Sequence, residues 1–168
     1  MALTKRYSIK RYLSATRAGV LAAFGLVLVF GNRWYADWAA DDTDPDTAGG
    51  WLLRLLAWPA WRFDSDDPPR DLFAADLRAV LVVGFTALFL HLLAKSQLAR
   101  SRKPLIQFAA GWALYVFASA LAALFATLFR SDPSLLDAFQ AADSGAGYGF
   151  FAGWIIGLAT LGARRRRR

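Results

Sequence analysis

The chain has 168 residues, 57% of them hydrophobic, with 7 Trp and 13 Phe and a net charge of +7. That apolar share exceeds the roughly 45–50% typical of water-soluble domains. With no cysteine, thiol catalysis, disulfide exchange and Cys-built zinc sites are excluded. The apolar excess collects in four runs free of Asp, Glu, Lys and Arg: Ala18–Asn32, Ala79–Ala94, Pro104–Phe129 and Gly145–Ala163.

In chain order, residues 1–17 read MALTKRYSIKRYLSATR. Ile9, Tyr12 and Leu13 among basic residues suit either an amphipathic segment on a membrane surface or a solvated end. A hydrocarbon core of about 30 Å needs roughly 17–25 helical residues. The first run reaches that length if Arg17 and Arg33 extend their stems and Trp34, Tyr35 and Trp38 anchor it, which predicts a span over about 15–35. The poor match to a cleavage site near Ala39-Ala40 argues for retention of this segment rather than removal as a signal peptide.

An outer loop over 36–75 follows, containing GGWLLRLLAWPAWRFD from Gly49 to Asp64. Trp51, Leu52, Leu55 and Trp58 share a helical face, and Pro59 should end the helix. The predicted helix, about 50–58, is too short to cross a bilayer. It suits the membrane interface or a lid over the spans, and Trp61 and Phe63 continue the greasy surface. Pro68-Pro69 marks the start of the second helix, whose span covers about 76–97, with Arg78 and Lys95 as flanking cations. The third span covers about 104–129. In the loop 130–144, Asp132-Pro133 predicts a short outer helix over about 133–142, with Leu135, Leu136 and Phe139 as its apolar face. The fourth span covers about 145–163. The expected fold is thus all-α: an integral membrane bundle of four transmembrane helices with one or two short interfacial helices.

The charges segregate. All 13 acids are Asp, and they lie between Asp37 and Asp76 or between Asp132 and Asp143. The stretch before the first run, the stretch between the second and third, and Arg164–Arg168 carry only cations. By the tendency of cytoplasmic flanks to collect Lys and Arg, both termini should be cytoplasmic in a cell (inner) membrane. The cations then meet anionic lipid headgroups, and no nucleic-acid partner is expected. Arg outnumbers Lys sixteen to four, which suits a GC-rich bacterial genome. In size and topology the chain resembles the four-helix disulfide-bond oxidases of bacteria, whose cysteine pairs it lacks. It also resembles the four-helix membrane subunits of tripartite transporters. Both resemblances are architectural, and no family motif carries a residue assignment.

Three constellations invite a functional reading. Gly149, Gly153 and Gly157 form overlapping GxxxG units, the expected helix-packing face, suited to contact within the chain or to a seam with a partner. His91, the only histidine, is the one intramembrane polar site to consider; it is expected to be neutral and bonded locally, since no second titratable group shares its span. Asp42, Asp44 and Asp46 alternate like a calcium loop, but Thr47 stands where the turn glycine belongs and Leu53 where the bidentate Glu belongs, so a solvated acidic loop is expected, with loose divalent-cation binding by this cluster and Asp64, Asp66 and Asp67 as the alternative. No nucleophile–base pair, carboxylate pair or phosphate loop stands out. No catalytic residue, cofactor or metal is therefore expected. The expected function is a non-catalytic accessory or scaffold subunit of a larger bacterial membrane complex, which would pack through the glycine-rich fourth helix and the outer surface of Trp51, Leu52, Leu55, Trp58 and Trp61. Its partners would be other membrane subunits or copies of itself. The alternatives are a small oligomeric transporter or channel, a membrane subunit of a multi-component transporter and, with least support, an enzyme acting on lipid.

Overall fold

The computed structural model describes the backbone of residues 2–61, 68–95 and 103–165, and the side chains of 15–61, 68–95 and 103–163. Six α-helices carry the chain, with no strand among the described residues: α1 (Ala2–Phe30), α2 (Arg33–Asp41), α3 (Ala48–Leu56), α4 (Pro69–Lys95), α5 (Pro104–Thr127) and α6 (Leu135–Arg165). Helices α4, α5 and α6 are each long and apolar enough to cross a membrane; α1 qualifies only together with α2, across a bend of 57°. The protein is a helical bundle of membrane-spanning character.

Four helices form a ring in the order α1, α4, α5, α6. The most extensive interface joins α5 to α6. Its cause is legible in the residues. A Cβ on Gly149 would stand 2.7 Å from Val116 Cα, and one on Gly157 2.8 Å from the Phe108 carbonyl oxygen. Only hydrogen fits there, so the two backbones touch. Within lipid, where apolar surface gains nothing from leaving water, such close backbone packing is what holds helices together.

The first corner of the ring is short. Gly19 packs level with Leu90 on α4 and Thr160 on α6. Gly31, twelve residues on, stands about 18 Å farther along the bundle at 1.5 Å per residue. That is near the level of Arg78 and Tyr148, and there α1 stops. The expected straight span through 15–35 is thus corrected to a helix that breaks at Gly31–Asn32. Asn32 takes an extended backbone (φ −72°, ψ 148°), accepts from the Tyr35 amide at 2.8 Å to cap α2, and donates to the Val29 carbonyl at 2.6 Å. Helices α4 and α6 continue past this level by about 13 and 20 Å, to Pro69 and Leu135.

A second correction concerns the loop after α5. The short helix expected over 133–142 and the span over 145–163 are one continuous helix, α6. Ser134 caps it, accepting from the Asp137 amide at 3.0 Å and donating to the Asp137 carboxylate at 2.6 Å. The helix therefore begins at Leu135, not at Pro133. Gly145, read from the sequence as the start of a new element, does not turn the chain: no glycine has positive φ. Gly145 is buried because a Cβ there would run into the Ser119 carbonyl of α5.

Candidate functional site

The site of interest is the end of the bundle where the α2–α3 hairpin lies. It is assembled by the α2–α3 hairpin. Thr47 caps α3, accepting from the Gly50 amide at 3.1 Å. The Asp44 carboxylate accepts from the Asp46 amide at 2.9 Å, forming a local turn. Arg54 crosses back to α2's end, donating to the Ala40 and Thr43 carbonyls at 2.6 Å each. A cation there satisfies carbonyls that lack helical partners and opposes the helix dipole. Tyr35 donates its hydroxyl to the Leu53 carbonyl at 3.0 Å. The Trp61 amide then donates to the Gly31 carbonyl at 2.8 Å, which pins the end of the hairpin onto the end of α1.

This pinning drives aromatic side chains into the vacant corner above α1. The Trp58 ring stacks on Tyr148 of α6, centroids 4.9 Å apart and 19° from parallel. The Arg78 guanidinium of α4 lies over the Trp58 ring, 4.8 Å from its centre. Beneath, the hydroxyls of Tyr115 and Tyr148 meet at 3.1 Å, and both residues are fully buried. Each hydroxyl satisfies the other, which avoids the roughly 1–3 kcal/mol penalty of an orphaned buried polar group.

The corner is not completely filled. A cavity of about 280 Å³ remains between α4, α5 and α6, walled by Trp58, Arg78 and a set of alanines that includes Ala74, Ala123 and Ala126. Asp71, Arg130 and Ser144 also line it. Arg130 Nε lies 3.7 Å from Asp71 Oδ1, and the same oxygen accepts from the Ser131 amide at 3.1 Å. Arg130 and Ser144 are exposed, so they stand at the mouth, whereas Ala74, Ala123 and Ala126 are buried.

The structure divides the sequence-predicted residues. Leu55, Trp58 and Trp61 pack against the core, as a lid would. Trp51 is 47% and Leu52 38% exposed, with the Trp51 ring against Phe151 at 4.9 Å. The expected common apolar face is therefore shared between lid and surface. Gly149, Gly153 and Gly157 are brought together, but their face is occupied by Phe108, Trp112 and Val116 of the same chain. His91 is exposed on α4, away from these groups. Among the described residues no three His, Cys, Asp or Glu come together as metal ligands. Asp64, Asp66, Asp67 and Phe63 lie outside the described residues, as do the side chains of Ile9, Tyr12, Leu13 and Arg164–Arg168.

No family model, curated protein or solved structure matches this chain.

Sequence reasoning missed Arg78, Arg130, Tyr115 and Tyr148. It treated Arg78 as a flanking cation that reaches the membrane surface. The available signal was the start of α4 at Pro69, which puts Arg78 two and a half turns inside the helix. The tyrosines gave no sequence signal, since 33 residues separate them.

Proposed function

We propose that the protein is a non-catalytic accessory subunit that contributes its outer end to a larger membrane complex. The observation behind this reading is the first turns of α6. Leu135, Leu136 and Phe139 are 76%, 67% and 67% exposed. Counted from the level of Arg17, they stand about 35–40 Å along the bundle. A hydrocarbon core is about 30 Å thick, so lipid tails do not cover them. Large apolar side chains clustered at that height suit contact with another protein.

In this reading the charge segregation orients the chain with both termini cytoplasmic in a bacterial inner membrane. The partner is a different membrane protein that presents an apolar face near the outer headgroups. A carrier or channel built from several copies has less support. The glycine face that would join the copies is filled within the chain. The polar side chains buried in the spans also bond to their own helices: Thr86 to Val82, Ser119 to Tyr115, Thr127 to Ala123 and Thr160 to Gly157.

A photo-crosslinking residue in place of Leu136, activated in native membranes, tests the proposal. One discrete adduct whose mass is not a multiple of the chain is expected. The combined change Leu135→Ser, Leu136→Ser and Phe139→Ser should abolish co-purification of that partner and leave the helical content of the purified protein unchanged. Adducts only with lipid or with the chain itself would refute the reading.

A further inference from the structure

We propose that the cavity beside Trp58 binds the phosphate of an anionic phospholipid headgroup, held between Arg78 and Arg130. Three observations converge.

The first is the origin of the space. The cavity lies above the point where α1 ends, in a corner that the α2–α3 hairpin only partly refills. Its buried wall is three alanines, Ala74, Ala123 and Ala126, each less than 5% exposed, and Thr127, whose hydroxyl donates to the Ala123 carbonyl of its own helix. At about 30 Å³ per water, 280 Å³ is room for roughly nine waters. It sits at the lower end of the range for small-molecule pockets, about 300–1,000 Å³. A headgroup fits it, and a whole lipid does not.

The second is charge. The lining holds two guanidinium groups, those of Arg78 and Arg130, and one carboxylate. The carboxylate, Asp71, faces Arg130 and accepts from the Ser131 amide, so its negative charge is already opposed. Arg78 is held in place against the Trp58 ring. Guanidinium groups match phosphate oxygens in planar, two-pronged geometry, which a point-charge ammonium does not. A cation has no comparable partner in this cavity.

The third is depth. From the level of Arg17, the cavity spans about 20–30 Å along α5. In a bilayer with a core of about 30 Å, that is the outer third, with its mouth at the height of lipid phosphates. An arginine at Arg78's level inside a span faces the bundle interior or a hydrated space, and such residues mark ligand pathways. The basic segments at the other end attract anionic lipid without a pocket. The two kinds of binding are separable.

Because the chain has no cysteine, Ser144→Cys places a single thiol at the mouth of the cavity. The full-length protein in neutral detergent is alkylated with a maleimide while short-chain phosphatidylglycerol is titrated in. Alkylation at least fivefold slower is expected at saturation. Short-chain phosphatidylcholine and inorganic phosphate should each change the rate less than twofold. Adding Arg78→Gln should remove the protection. Adding Ala126→Leu, which fills the cavity and leaves both arginines in place, should remove it as well. Replacing Arg164–Arg168 with Gln should leave it intact. Equal protection by phosphatidylcholine, protection by inorganic phosphate alone, or no protection by phosphatidylglycerol would each overturn the proposal. The comparison among the three additives needs no second substitution, so a poorly folding Arg78 or Ala126 variant does not rescue it.

Discussion

The α5–α6 interface and the corner above α1 solve the same packing problem in opposite ways. Along α5–α6, side chains are deleted so that one backbone lies on another: Gly149, Gly153 and Gly157 leave no room even for a methyl group. Above α1, a helix is missing and large rings from a surface segment stand in for it, with Trp58 on Tyr148 and Arg78 on Trp58. The first solution leaves no space. The second leaves about 280 Å³ with Asp71, Arg78 and Arg130 in its lining. Function can be expected where the packing is improvised, because there the bundle keeps a space with charged groups in its lining.

Substitution should break the two regions differently. The largest effect is expected at Gly149→Leu, whose Cβ already stands 2.7 Å from a backbone atom of Val116. Rigid helices must separate to admit it. Overpacking against a backbone atom should cost more than about 3 kcal/mol, seen as loss of folded protein in a detergent-to-SDS titration. Gly147→Leu, two residues away with nothing within 4 Å, is the control and should unfold with the parent.

Trp58→Ala comes next. It removes the ring that closes the corner and should cost about 3 kcal/mol, the lower end for Trp→Ala because the ring already borders a cavity. Trp51→Ala, half-exposed on the same hairpin, should cost less than about 1 kcal/mol in the same titration. Equal losses at the two tryptophans would dissolve the distinction between lid and surface.

A smaller and more diagnostic effect is expected between α5 and α6 at the buried tyrosines. Tyr115→Phe should cost about 1–2 kcal/mol by orphaning the Tyr148 hydroxyl. Adding Tyr148→Phe should cost little more, since both polar groups are then gone. A double-mutant cycle with additive losses would show that the two hydroxyls do not depend on each other. The smallest effect is expected at His91→Ala. Its side chain is exposed and outside both regions, so stability should change by less than about 0.5 kcal/mol.

How much of this was legible in the sequence depends on the range of the interaction. The apolar runs, the glycine spacing and the greasy hairpin are local patterns, and each reports an element or a face without knowledge of the rest. The end of α1 at Phe30 was not legible. The apolar pattern continues into Trp34 and Tyr35, and the break is stabilised by a hydrogen bond from Trp61, thirty residues away. The fusion of the last two predicted elements into α6 was misread for a related reason. The uncharged run begins at Gly145, just after Asp143, but the helix runs through both, and at Gly145 the Ser119 carbonyl occupies the space a side chain would need.

The sequence by itself therefore determined that the chain is helical, apolar enough in several runs for a membrane, and charged oppositely at its two ends. Those are properties of composition and period, which hydrocarbon and water read one segment at a time. Only the tertiary structure decided that the glycines pack against α5 of the same chain, and that Arg78 faces Trp58. It also left one corner of the ring open. These outcomes depend on helix lengths measured against one another, and relative length along a bundle exists only once the helices stand side by side.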